Sequence, residues 1–130
     1  MKNVMAQGTF DVLHPGHLYY LERSADLGDK LIVVVARDSR VRGRKDLEFS
    51  EEERREMLDS LEVVDRAVLG SEGDIYSTVK EVDPDIITLG HDQKHSDEEV
   101  KEMAEDATNH KVEVHRIKER EGYSSSEIKG

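Results

Sequence analysis

The sequence predicts an α/β fold: a doubly wound, mainly parallel sheet of about five strands in the order 3-2-1-4-5, with helices on both faces. Three observations carry this. Short apolar runs alternate with amphipathic segments of helical period along the 130 residues, and that alternation is the pattern of a parallel sheet with crossover helices. Leu31-Ile32-Val33-Val34-Val35 is a continuous, mostly β-branched run, as in a central strand covered on both faces. Capping boxes, a serine with a glutamate three residues on, stand at Ser50/Glu53, Ser96/Glu99 and Ser124/Glu127 and mark helix starts. Right-handed crossovers then leave few topologies.

Lys2 to Gln7, around Val4-Met5-Ala6, is the first strand. Pro15 to Leu27 follows as a helix with Leu18, Leu21 and Ala25 on one face, Pro15 at its first position and Gly28 as its stop. Lys30 to Ala36 is the second strand. From Ser50 a helix runs to about Leu61 with Met57, Leu58 and Leu61 as its apolar stripe. Arg54 stands three, four and seven residues before them, so it is angled inward, whereas Arg55 faces solvent. Arg66 to Leu69 is the third strand, and Ile75, Val79 and Val82 mark a helix ending before Pro84. Asp85 to Leu89 is the fourth strand, stopping at Gly90. The helix opened by Ser96 carries Val100, Met103, Ala104 and Ala107 inside, Lys111 to His115 is the fifth strand, and a last short helix starts at Ser124. With no repeat or linker, residues 1–130 read as one domain.

Composition narrows the function classes. The absence of cysteine excludes disulfides and thiolate metal sites and fits a reducing cytosol. No apolar run approaches the roughly 20 residues of a membrane span, and no signal-peptide core is present, so a soluble, cytoplasmic protein is expected. Thirty acidic against 19 basic residues give a net charge of −11, which repels nucleic acid and anionic membranes. The exception is local: Arg37, Arg40, Arg42, Arg44 and Lys45 cluster against one acid, Asp38. Such a run suits a small anionic ligand or, more simply, a solvated loop that balances charge.

The chemistry concentrates in Gly8-Thr9-Phe10-Asp11-Val12-Leu13-His14-Pro15-Gly16-His17. It leaves the first strand and opens the first helix, whose leading N–H groups lack intrahelical partners and carry the positive end of the macrodipole. Phosphate binds naturally at such a place. Glycines at 8 and 16 give access to the backbone, and two imidazoles add donors. The pattern is neither the dinucleotide glycine fingerprint nor a Walker A loop. Two other readings stay open for the histidines, metal ligation and simple packing; His91 and His95 also have a ligand-like spacing, but without an accompanying zinc pattern. In the predicted topology the strand order reverses between the first and fourth strands, and ligands bind there. The Gly8 to His17 turn and Gly90-His91-Asp92 leave those strands and meet at one crevice.

The arrangement His14-x-x-His17 after Gly8-Thr9-Phe10-Asp11 resembles the signature of the nucleotidylyltransferase superfamily. Over nearly the whole chain the likeness is to its cytidylyltransferase-like branch, whose fold is Rossmann-like. Glu121-Gly122-Tyr123-Ser124-Ser125-Ser126 is similar to that branch's late phosphate-binding motif, and Lys45 and Arg54 match its basic positions. Val35-Ala36-Arg37-Asp38, Gly43-Arg44-Lys45, Glu52 to Met57 and Leu89-Gly90-His91-Asp92-Gln93 look most like the archaeal FAD synthases. The glycerol-3-phosphate cytidylyltransferases usually have a tail with threonines where this chain has Ser124 to Ser126, whereas archaeal FAD synthases often carry C-terminal cysteines that this chain lacks.

The resemblance implies transfer of AMP from ATP to FMN, giving FAD and pyrophosphate, by direct in-line attack on the α-phosphate. His14 and His17 then hold the triphosphate and the transition state beside the amides of Thr9 and Phe10, after Gly8. Lys45 and Arg54 clamp phosphate oxygens, Tyr123, Ser124, Ser125 and Ser126 bind the triphosphate from the late helix, and Gly90 and Asp92 meet the ribose or base. No side chain is assigned as a metal ligand; Mg²⁺ accompanies the nucleotide. Partners are small molecules, with a homodimer as the oligomeric expectation. Two alternatives stand beside this one: glycerol 3-phosphate with CTP, and a nucleotide-binding module without catalysis. Tyr19, Tyr20, Tyr76 and Tyr123 are the aromatic candidates for stacking on a flavin ring, with packing as their plainer role.

Overall fold

Val4, Met5 and Ala6 are all buried, because the strand they form lies at the middle of the sheet with both faces covered. In the computed structural model, which describes residues 2–8, 10, 13, 15–37, 49–70, 75–90 and 96–118, this strand is β1 (Asn3–Gly8). It joins β2 (Lys30–Val35), β3 (Arg66–Leu69), β4 (Ile86–Gly90) and β5 (Glu113–Ile117) in one parallel sheet. The strand order is β3-β2-β1-β4-β5, as the alternation of elements predicts. The helices among the described residues are α1 (Pro15–Ala25), α2 (Glu51–Asp59), α3 (Ile75–Val82) and α4 (Asp97–Thr108).

Side-chain alternation along the strands divides the core into two layers. Val4, Ala6, Leu31, Val33 and Val35 pack with Leu21 of α1 and Leu58 of α2. Met5, Val34, Ile87 and Leu89 pack with Val79 of α3 and Val100, Ala104 and Ala107 of α4. Both described capping boxes form, with Ser50 accepting from Glu53 N–H and Ser96 from Glu99 N–H while each glutamate carboxylate returns the bond. The third, Ser124/Glu127, lies outside the described residues.

Several expectations need correction. The fifth strand is displaced by two residues, running from Glu113 rather than Lys111. Val112 is buried, but its N–H donates to the Glu105 carboxylate (3.0 Å) and its carbonyl accepts from Lys101 Nζ (2.9 Å), so α4 side chains take its polar groups. The first helix ends at Ala25 rather than Leu27, and its inner face is Tyr20, Leu21 and Ser24 rather than Leu18, which is exposed. Polar bonds to the sheet, described below, set that rotation. Arg55 is half-buried against Glu52 rather than fully in solvent.

An aspartate stands directly before each of β2, β3 and β4 and makes the same exchange with the neighbouring strand's backbone. Asp29 N–H donates to Lys2 C=O (2.8 Å), and its carboxylate accepts Lys2 N–H (2.7 Å). Asp65 does the same with Leu31 (3.0 and 2.7 Å), and Asp85 with Asn3 (2.9 and 2.9 Å). These pairs satisfy backbone groups that the ladder has not yet reached.

Candidate functional site

One glycine, Gly8, and one strained aromatic, Phe10, stand together at the end of β1. Phe10 has φ 52°, a left-handed conformation costly for a bulky residue, and its ring is buried. A Cβ on Gly8 would lie 2.8 Å from that ring, so the space opened by the glycine is filled by Phe10. The Phe10 ring meets His17 edge-on, with centroids 5.4 Å apart at 72°, and stacks on Tyr20 at 6.5 Å and 24°. His17 lies in the first turn of α1, with its Nδ1 atom buried. Gly8, Phe10 and His17 therefore converge where the helix presents its leading N–H groups.

Arg54 is fully buried, as its place on the α2 stripe predicts. Its Nη1 donates to Ala36 C=O (2.8 Å) and its Nε to Phe49 C=O (3.2 Å). Ala36 N–H in turn donates to Gly8 C=O (2.9 Å), so one residue links Arg54 to the β1 turn. Beside it, Arg37 Nε donates to Gly70 C=O (2.6 Å) just past β3, and Arg37 Nη1 pairs with Glu51 (3.2 Å).

On the other flank, Gly90 ends β4, and its carbonyl accepts from Arg116 Nη1 (2.9 Å). Arg116 also pairs with Asp97 in the first turn of α4 (2.9 Å), tying that helix start to the strand end. The Tyr20 hydroxyl reaches across from α1 to donate to Thr88 C=O (2.8 Å), and Ser24 shares a hydrogen bond with the buried Thr88 hydroxyl (2.8 Å). The other described tyrosines are engaged elsewhere. Tyr19 lies beneath the Arg23 guanidinium (5.8 Å to the ring centre), and the Tyr76 hydroxyl donates to Asp106 (3.0 Å).

Of the residues singled out from sequence, the structure thus joins Gly8, Phe10, His17 and Arg54 by direct or one-residue contacts and sets Gly90 at the end of the neighbouring strand β4. His14, Thr9, Lys45, Asp92, Tyr123, Ser124, Ser125 and Ser126 lie outside the described residues. Tyr20, Arg37 and Arg116 were not singled out as organisers of this edge. For Arg116 the signal was hidden because the strand was expected to end at His115. Among the described residues no group of three or more His, Cys, Asp or Glu could hold a metal ion. Nor is any described helix long and apolar enough to cross a membrane.

A parallel sheet with this strand order, a helix start at the end of its central strand and arginines on its terminal carbonyls define an α/β protein of the Rossmann-like class. Residues 5–130 match the family described as cytidylyltransferase-like, and the chain belongs to that family. It is 48% identical to the FAD synthase of Aciduliprofundum boonei over 131 residues, covering 100% of this chain and 85% of that one. It is 50% identical to the FAD synthase of Natrialba magadii over 104 residues, covering 80% and 70%. Among solved structures it matches one described as the lipopolysaccharide core biosynthesis protein from Thermoplasma volcanium with a TM-score of 0.87 at 48% identity, covering 93% of this chain and 99% of that one. A protein of unknown function from Archaeoglobus fulgidus shares the fold alone, with a TM-score of 0.71 at 20% identity over 90% and 89% of the two chains. The protein is a nucleotidyltransferase enzyme.

Proposed function

We propose that the protein is an FAD synthase, acting over residues 1–130 as one nucleotidylyltransferase domain. The observation that carries the reading is the 48% identity to a curated FAD synthase along all of this chain. The convergence of Gly8, Phe10 and His17 at a helix start supports it, because that is where phosphate is received. An FMN phosphate oxygen, largely ionised near neutral pH, attacks the α-phosphorus of ATP in line. A new P–O bond forms, the bond to the β-phosphate oxygen breaks, and pyrophosphate leaves with the electron pair. No side chain has to remove a proton, so catalysis rests on alignment and charge stabilisation.

In this reading His14 and His17 donate to the triphosphate and to the charge that develops on it, beside the amides of Thr9 and Phe10. Lys45 neutralises phosphate oxygens. Arg54, with Nε and Nη1 on backbone carbonyls, adds its charge from beneath and keeps the Ala36–Gly8 link in place. Tyr123 and Ser124 to Ser126 bind the triphosphate, and Gly90 and Asp92 meet the nucleoside. Mg²⁺ would accompany the nucleotide and keep several of its waters, as such ions do at phosphates. Its chemistry is to neutralise the phosphates as charge moves to pyrophosphate. The partners are ATP and FMN and not nucleic acid, the compartment is the cytoplasm, and the oligomeric state is a homodimer.

The test is a panel of four nucleotides against FMN and glycerol 3-phosphate with Mg²⁺, read by product mass. FAD from ATP and FMN is the expected product, with His17→Ala lowering turnover by about 10²–10³ while the fold stays intact. CDP-glycerol with no FAD, or tight ATP binding with no turnover, overturns the proposal.

A further inference from the structure

Strands β1 and β4 part at the crevice, and a side chain occupies the place where they part. β1 pairs with β2 along its full length, from Asn3↔Lys30 to Gly8↔Val35. Against β4 the register covers Val4↔Ile86 and Met5↔Ile87, although the strands run on to Gly8 and Gly90. Alternate residues of a strand turn their backbone groups to opposite neighbours. Asn3 C=O accepts from Asp85 N–H on the β4 side, and Gly8 C=O from Ala36 N–H on the β2 side. Gln7 therefore turns toward β4, where the register sets Thr88 C=O as the acceptor for its N–H. The Tyr20 hydroxyl stands inside that bond, accepting from Gln7 N–H (3.3 Å) and donating to Thr88 C=O (2.8 Å).

We propose that Tyr20 is a positioning residue: its hydroxyl replaces one ladder hydrogen bond, holds β1 and β4 apart at the mouth of the crevice and, through the Phe10 ring, fixes the His17 imidazole. The same ring that carries the hydroxyl stacks on Phe10, and Phe10 meets His17 edge-on. The hydroxyl is oriented from behind by Thr88 Oγ1 (3.3 Å), itself held by Ser24. Phenylalanine would fill the same volume but leave the Gln7 N–H and Thr88 C=O facing each other across a gap. Closing that gap narrows the crevice; leaving it open strands two polar groups. Tyr20 thus belongs to the crevice geometry. The idea rests on the proposed function in taking His17 as a nucleotide ligand.

A double-mutant cycle tests it. Tyr20→Phe, His17→Ala and the double variant are measured for kcat and KM in FAD formation, for ATP affinity by calorimetry and for Tm. Tyr20→Phe is expected to lower kcat about tenfold with KM for FMN unchanged, and to have no further effect when His17 is already alanine. Additive losses, or a lowered Tm with kcat and ATP affinity intact, overturn the proposal. If the wild-type protein makes no FAD, the activity reading falls, and the same cycle read in ATP affinity still decides Tyr20. If Tyr20→Phe does not fold, Thr88→Val removes the hydroxyl that orients the phenol. It is expected to lower kcat two- to threefold, roughly, in the same His17-dependent way, and an unchanged kcat overturns the proposal.

Discussion

The two ends of the sheet are built with opposite charges. At the amino ends, Asp29, Asp65 and Asp85 precede β2, β3 and β4 and accept backbone N–H groups of the neighbouring strands. At the carboxyl ends, Arg54, Arg37 and Arg116 donate to the carbonyls of Ala36, Gly70 and Gly90, at or just past the ends of the same three strands. Each set meets the backbone groups exposed where a ladder runs out. The strand ends are thus met by carboxylates at one end and by guanidinium groups at the other, although Arg37 and Arg116 are themselves ion-paired with Glu51 and Asp97, in a chain whose net charge is −11. Whole-chain charge argues against any polyanion, yet guanidinium groups are fixed into the rim where the helix start of α1 and the crevice between β1 and β4 lie. A small anion meets that rim, whereas an extended polyanion meets the acidic remainder as well.

The strongest way to break this comparison is Arg54→Met, which keeps apolar bulk and removes the guanidinium. The carbonyls of Ala36 and Phe49 then lose their donor, and each buried bond left unmade costs about 1–3 kcal/mol. A total loss of about 3–5 kcal/mol in urea unfolding is expected, together with weaker ATP binding. Arg54→Lys should recover part of the stability. A stable Arg54→Met protein with weakened ATP binding would mean that the guanidinium serves the ligand and not the strand end.

The amino end should respond differently. Asp85 carries the most connections of the three aspartates, with N–H on Asn3, carboxylate accepting Asn3 N–H, and C=O accepting Glu113 N–H (3.0 Å). Asp85→Ala removes only the carboxylate, so a loss of about 1–3 kcal/mol is expected, with ATP affinity unchanged. Asp85→Asn keeps an acceptor oxygen and should lose less. A change in ATP affinity larger than the loss of folded protein explains would erase the distinction between the two ends.

How much of this was legible in the sequence follows from the range of the interactions. The β-branched run 31–35, the two described capping boxes and the inward angle of Arg54 are local patterns of period 2 or 3.6, and the structure keeps them. Tyr20 and Arg116 act on carbonyls 68 and 26 residues away, and no local period records such a partner. Gly8 was legible as a special position, but its cause was not. The space beside it goes to the Phe10 ring because Phe10 takes a positive φ, which an aromatic residue does not announce. The start of β5 was misplaced for a similar reason, since Glu105 and Lys101 on α4 take the polar groups of Val112. An aspartate before each of three successive strands was visible throughout, and its meaning appeared only when each carboxylate was seen on a neighbouring strand.

The smallest expected effect concerns pH, and it also belongs to the amino end. His110 Nδ1 contacts Lys111 C=O (2.8 Å) and its Nε2 contacts Asp83 (2.9 Å). The Lys111 carbonyl first, and then the Asp83 carboxylate, raise its pKa by favouring the doubly protonated ring. Because the folded value lies above the ordinary one of about 6.5, the stabilisation is fully present below that value and is lost as pH rises through the folded pKa. Glu105 and Glu113 have the opposite sign. Hydrogen bonds from Lys101 to Glu105 and from His115 to Glu113 hold both carboxyls below their usual range, so their contribution is lost as pH falls through the folded values. The Tm gap between the wild-type protein and His110→Ala should therefore be wider near pH 5.5 than at pH 8.5, and that between the wild-type protein and Glu105→Gln should narrow in acid. These groups are exposed, so both gaps should be small and shrink further in salt. ATP affinity should differ between neither variant and the wild-type protein at either pH, because the titrating groups lie at the end of the sheet away from the crevice.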